Sequence, residues 1–199
     1  MVITKVVVSH KHKYVYYYVP KVACTTIRKM LANFDEFEYI KRQKTHELPY
    51  FKFAFARNPW DRLVSCYADK VVGAGLDPVN NERNGVFKSF TKYKRDFKNM
   101  EFAEFAEFVC ETPDRKSNSH FRSQYKFMPP LECLNFMGRF ENLTADLQRL
   151  REMLGITGVV EGHFMRSTRK SYRHYYDNRL MDMVGQRYRR DITTFGYTY

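Results

Sequence analysis

The sequence has no run approaching the ~20 apolar residues that a bilayer-crossing helix needs, and its opening residues lack a charged segment followed by a long apolar stretch. The expectation is a soluble, cytoplasmic protein with no membrane span. Glycine is scarce, 9 in 199 residues, and nowhere does it form the G-x-x-x-x-G-K-[ST] loop of phosphate-gripping nucleotide enzymes. The four cysteines, Cys24, Cys66, Cys110 and Cys133, include no C-x-x-C pair, which argues against zinc knuckles and thioredoxin-type chemistry and reads as reduced thiols. No cluster of carboxylates suggests a bound metal. Acidic residues are in deficit: 22 Asp and Glu against 34 Lys and Arg leave a formal net charge of +12. A surface of that sign favours phosphate- or sulfate-bearing partners.

What is present is a globular composition. Hydrophobic residues make up 44% and aromatics 17%, with 15 Tyr and 17 Phe, enough for one core, and neither a repeat nor a long linker divides the chain. One domain over residues 1–199 is expected. Lys5 to Val8 and Tyr14 to Val19 (YVYYYV) are β-branched and aromatic strands separated by a polar turn, the second apolar enough for the interior of a parallel sheet. Thr25 to Phe34 is an amphipathic helix, Phe51 to Ala56 (FKFAFA) a strand, and Pro59 opens a helix bearing Leu63, Val64, Tyr67 and Val71. Gly73 to Arg95 has no clean period and reads as a loop or flap. Met100 to Cys110 is a helix with Phe102, Phe105, Phe108 and Val109 facing a core. Leu134 to Arg139 is a strand, Leu143 to Leu154 a helix, and Asp177 caps a last helix running to Arg190. This order predicts an α/β fold, a mainly parallel central sheet flanked by helices on both faces.

In such a sheet ligands gather beyond the carboxyl ends of the strands, and two strand ends carry unusual loops. Pro20 to Thr26 (PKVACTT) offers consecutive backbone N–H groups, two hydroxyls and an ammonium at a helix start, a set suited to an anion and equally compatible with a plain turn. Ala56 to Arg62 (ARNPWDR) places Arg57 at a strand end, able to make a bidentate phosphate contact, with Ser65 a turn or two further on. Asp61 is a structural partner for Arg57 or Arg62, and for Arg62 that structural role is the preferred reading.

The segments VPKVACTT (Val19 to Thr26) and FARNPWDRLVSCY (Phe55 to Tyr67) resemble the 5′-phosphosulfate loop and the 3′-phosphate motif of sulfotransferases that use 3′-phosphoadenosine 5′-phosphosulfate (PAPS). KTHELP (Lys44 to Pro49), HFRSQY (His120 to Tyr125), GRFENLTADL (Gly138 to Leu147) and the ending YYDNRLMDMVGQRYRRDITTFGY (Tyr175 to Tyr197) look like the carbohydrate-type members and their bacterial relatives. The resemblance implies a P-loop-like sulfotransferase fold, PAPS as donor with 3′,5′-bisphosphoadenosine as product, and no metal. It implies that Lys21 contacts the phosphosulfate and stabilises the bridging oxygen as sulfate leaves, while Val22, Ala23, Cys24, Thr25 and Thr26 cradle the 5′-phosphate. Arg57 and Ser65 match the residues that bind the 3′-phosphate, Phe140 and Glu141 a segment near the adenosine, and Arg169 and Lys170 are further candidates for the 3′-phosphate. His46 is similar to the histidine that serves as general base, with His120 the alternative base. Many members carry glycine where this chain has Ala23 or Cys24, so a positive φ there is strained.

Sulfuryl transfer by in-line displacement needs an oriented acceptor hydroxyl, a base and positive charge at the leaving oxygen. His120, Arg122, Gln124 and Lys126 are placed in one segment as acceptor contacts, the flap helps choose the acceptor, and the basic charge suits an anionic glycan. The expected acceptor is a carbohydrate or glycolipid hydroxyl, with no nucleic-acid partner. Two rival readings stand beside this one. A nucleotide-dependent kinase lacks its glycine loop and a magnesium aspartate, and a non-catalytic glycan- or nucleic-acid-binding module leaves both anion loops unexplained.

Overall fold

The computed structural model describes residues 5–45, 47–72, 90–97, 100–156 and 169–199. Its strands are β1 (Lys5–Ser9), β2 (Tyr14–Tyr17), β3 (Glu38–Lys41), β4 (Phe51–Ala56) and β5 (Phe136–Arg139). Its α-helices are α1 (Cys24–Ala32), α2 (Pro59–Tyr67), α3 (Phe102–Glu111), α4 (Leu143–Met153), α5 (Asn178–Arg187) and α6 (Arg189–Phe195). The chain divides into two compact units, Met1–Arg57 with Gln124–Ser167, and Asn58–Ser123 with Thr168–Tyr199. Each is discontinuous in sequence.

The first unit holds the whole sheet, in the order β3-β1-β2-β4-β5. It is mixed rather than mainly parallel: β2, β4 and β5 run parallel, while β1 is antiparallel to both β2 and β3. The short turn between β1 and β2 dictates this, because so few residues can only fold a strand back on itself, whereas a parallel neighbour needs a crossover of a dozen or more. The run YVYYYV supplies the interior strand β2, whose four residues are all buried. Tyr16 pairs with Phe53 of β4, and their rings stack 4.9 Å apart. Phe55 pairs with Gly138 of β5, where any Cβ would collide with the Phe55 ring, so this strand crossing requires glycine. The edge strand β3 has one half-buried residue of four and the rest exposed, a pattern with no sequence signature.

The second unit is helical around an aromatic core. Phe102, Phe105, Phe108 and Val109 of α3 are buried with Trp60, Leu63, Val64 and Tyr67 of α2 and Leu180 and Val184 of α5. Phe97 meets Phe90 and Phe108 at ring separations of 5.1 Å, the edge-to-face and tilted geometry aromatic rings prefer. Asn58 caps α2 by accepting the N–H groups of Trp60 and Asp61, and Asp177 caps α5 by accepting that of Leu180 at 2.7 Å. The last helix is broken at Tyr188 into α5 and α6. Of the expected flap, residues 73–89 lie outside the described residues, and Phe90 belongs to the core. The four cysteines are unbridged.

Candidate functional site

The first anion loop is built around one buried side chain. Val22 is fully buried, and its N–H donates to the Val19 carbonyl at 3.3 Å. On either side of it Lys21 and Ala23 adopt left-handed backbone, φ 68 and 49. Neither residue is glycine, and left-handed backbone costs an L-residue roughly 1–2 kcal/mol, so the loop is held against its local preference.

From this loop α1 begins with no side-chain cap and no acidic residue in its first turn, whereas α2, α3 and α5 are each capped by a side chain. The positive end of the α1 dipole at Cys24, Thr25 and Thr26 is therefore not neutralised by a carboxylate of its own. That is the local electrostatics of an anion cradle.

The second anion loop meets the first through Arg57. Only 6% exposed, Arg57 donates from Nη1 to the Lys21 carbonyl at 3.0 Å, and its guanidinium lies 3.7 Å from the centre of the Phe140 ring. Gln124 holds the Arg57 backbone from both sides: the Arg57 N–H donates to Gln124 Oε1 at 3.0 Å, and Gln124 Nε2 donates to the Arg57 carbonyl at 2.8 Å. The structure thus gathers Lys21, the α1 start, Arg57 and Phe140 within the first unit. A stacked guanidinium with five donors in a fixed fork suits a phosphate better than an ammonium would. Gln124, expected to contact an acceptor, is buried and serves the Arg57 backbone instead. Lys126 is exposed, and its carbonyl accepts from Arg42 Nη1 at 3.0 Å.

In the second unit Ser65 sits half-buried on α2. Asp61 pairs with Arg169; this ties the charge of Arg169, a candidate phosphate ligand, to a carboxylate of its own unit. Lys170 is exposed. Arg62 plays a structural role. It is 2% exposed, and it donates to the carbonyls of Arg122 at 2.8 Å and Ser119 at 3.3 Å. Burial pulls its guanidinium below its ordinary value.

Those carbonyls flank His120. The segment is further tied by Tyr188, whose hydroxyl donates to the Phe121 carbonyl at 2.6 Å, and by Arg122, which donates to the carbonyls of Asp114 and Ser117. Asp114 accepts the Ser123 N–H at 3.0 Å and pairs with Arg187 at 2.8 Å. Burial alone would raise the Asp114 carboxyl, but the Ser123 N–H and the Arg187 guanidinium outweigh it and hold it below its ordinary value. Half-buried His120 is therefore presented by a rigid segment. His46 lies outside the described residues. Among the described residues no three His, Cys, Asp or Glu side chains are grouped to hold a metal, and no helix is long and apolar enough to cross a membrane.

Two features were not read from the sequence. The Val22 plug looks like any apolar loop residue until its burial is known. Asn118, two residues before His120, contacts that histidine twice, and the N-x-H spacing of an Asx turn was the available signal.

The chain is 26% identical over 233 residues to carbohydrate sulfotransferase 14 of Danio rerio, covering 96% of this chain and 62% of that one. It is 24% identical to carbohydrate sulfotransferase 11 of Mus musculus over 193 residues, 78% of this chain and 54% of the relative. Carbohydrate sulfotransferase 10 of Rattus norvegicus is 24% identical over 80% of this chain and 55% of its own length. The chain thus spans between half and two thirds of the length of these relatives. No solved structure matches it. A model of the sulfotransferase family matches residues 4–198, and with nearly the whole chain inside that match, the chain belongs to the sulfotransferase family.

Proposed function

We propose that the protein transfers a sulfuryl group from PAPS to a hydroxyl of a carbohydrate. The observation that carries this reading is the clasp in the first unit, where the strained Lys21 loop, the uncapped start of α1 and the Phe140-stacked Arg57 are fastened together. A donor with one phosphate at each end of a ribose needs two cationic anion sites at fixed separation and an aromatic surface. In this reading the α1 start and Lys21 hold the 5′-phosphosulfate, Arg57 holds the 3′-phosphate, and Phe140 lies near the adenosine.

The donor supplies an activated sulfuryl group; the residues supply position and charge. As the acceptor oxygen bonds to sulfur and the bond from sulfur to the bridging oxygen breaks, the acceptor proton passes to a histidine and the charge on the departing phosphate is met by Lys21. Two histidines are candidates for that base, His46 and His120. The pinned segment and the ring contacts of His120 support the second.

The test is calorimetric titration of 3′,5′-bisphosphoadenosine against ATP, paired with turnover of labelled PAPS on a panel of carbohydrates. Tight binding that prefers the 3′-phosphate and weakens on the order of ten- to a hundredfold in Lys21→Ala supports the reading, since a charge-assisted contact contributes roughly 1.5–3 kcal/mol. Equal binding of ATP would overturn it. His46→Ala and His120→Ala then identify the base, which should cost about 10²- to 10⁴-fold in turnover while leaving nucleotide affinity intact.

A further inference from the structure

The contacts between Asn118 and His120 determine where the imidazole carries its proton. The His120 backbone N–H donates to Asn118 Oδ1 at 3.0 Å, and the same oxygen lies 2.6 Å from His120 Nδ1. Because a backbone N–H can only donate, the Asn118 atom facing it is the carbonyl oxygen and not the amide nitrogen. A carbonyl oxygen offers only lone pairs, so the ring nitrogen facing it must supply the hydrogen. In the neutral ring Nδ1 is then protonated and Nε2 carries the lone pair.

The geometry points to Asn118 as a positioning residue that fixes His120 as the Nδ1–H tautomer, so that Nε2 is the atom that accepts the proton of the acceptor hydroxyl. This rests on the reading of the protein as a sulfotransferase with His120 as its base. The surroundings make the assignment durable. The backbone carbonyl of Asn118 accepts the N–H groups of Phe121 at 3.2 Å and Arg122 at 2.9 Å, closing a turn around His120. Arg62 grips the carbonyls of Ser119 and Arg122 from one side and Tyr188 that of Phe121 from another. The backbone of His120 is thus pinned on both sides and its ring is fixed by the side chain that also binds its own N–H. A base whose tautomer is chosen in advance loses none of its population to the unreactive form.

Histidine-selective ¹⁵N NMR of the full chain, with turnover of Asn118→Ala, Asn118→Asp and His120→Ala, tests this. The wild-type spectrum alone reads the tautomer: a protonated Nδ1 and an unprotonated Nε2 at His120 are expected, and an Nε2–H signal would overturn the proposal without recourse to any variant. Asn118→Ala should introduce the Nε2–H form and lower kcat by roughly ten- to a hundredfold, the range seen when an orienting partner is removed from a histidine, with KM for PAPS unchanged within about threefold. Asn118→Asp keeps an acceptor facing Nδ1 and should recover most of that loss, a rescue that a packing role would not produce. Full turnover in His120→Ala would remove the base reading and this inference with it. Crippled His120→Ala beside fully active Asn118→Ala would overturn the positioning role alone and leave the base in place.

Discussion

Replacing Arg57 by lysine keeps the charge and removes the shape, which makes it a sharp test of the clasp. In the structure one guanidinium faces the Phe140 ring at 3.7 Å while its Nη1 holds the Lys21 carbonyl at 3.0 Å. A lysine ammonium cannot lie flat on the ring, hold that carbonyl and present a two-pronged face to a phosphate at the same time. The substitution therefore removes at least one charge-assisted hydrogen bond to the 3′-phosphate, worth about 1.5–3 kcal/mol, or roughly ten- to 150-fold in Kd. The assay is calorimetric titration of 3′,5′-bisphosphoadenosine and adenosine 5′-phosphate with both proteins, and a thermal melt shows that Arg57→Lys is folded. The first nucleotide should lose this factor and the second, which has no 3′-phosphate, should change by less than about threefold. Equal losses for the two nucleotides, or none for either, would refute the assignment of Arg57 to the 3′-phosphate.

Two further outcomes follow from the same structure. Ala23→Gly should raise stability by roughly 0.5–1 kcal/mol, because relief of the left-handed cost at φ 49 exceeds the ~0.5–1 kcal/mol of extra chain entropy that glycine loses on folding; an unchanged or lowered urea midpoint would contradict this. Asp114 has a carboxyl held below its ordinary value by Ser123 and Arg187 despite its burial, so its contribution is complete above about pH 4, the unfolded value, and is lost as pH falls through the lower folded value. Asp114→Asn should cost about 1.5–3 kcal/mol at neutral pH and flatten the acid limb of the stability profile, and an acid limb as steep as the wild type's would exclude Asp114 as its source.

The parts of the fold that depend on neighbours in sequence were legible. Tyr14 to Tyr17 of YVYYYV are buried as an interior strand, Asp177 caps the helix it precedes, and the phenylalanines of α3 face a core. Parts decided by distant partners were not. The strand β3 exists because β1 offers an open edge, with Val6 paired to Ile40, and nothing within EYIK announces it. Asp61 pairs with Arg169, more than a hundred residues away. Arg62 is buried and holds the carbonyls of Arg122 and Ser119, partners that no charge pattern encodes. The same holds in the candidate site: PKVACTT and ARNPWDR stand out in the sequence as unusual loops at strand ends, whereas their fastening through Lys21 and Arg57, the service of Gln124 to the Arg57 backbone and the grip of Asn118 on His120 depend on contacts that the sequence does not display.

The paired bonds between Arg57 and Gln124 also bear on how such a protein varies. They join the point where the chain leaves the first unit to the point where it returns, closing the stretch 58–123 into a loop at its base. The entropy of closing a loop grows only with the logarithm of its length, about 0.6 kcal/mol for each doubling. A staple of two hydrogen bonds at the neck is therefore almost indifferent to how much chain lies beyond it. Insertions and deletions in that stretch can therefore reshape the second unit at little thermodynamic cost while the register of Arg57 against Lys21 and Phe140 stays as it is.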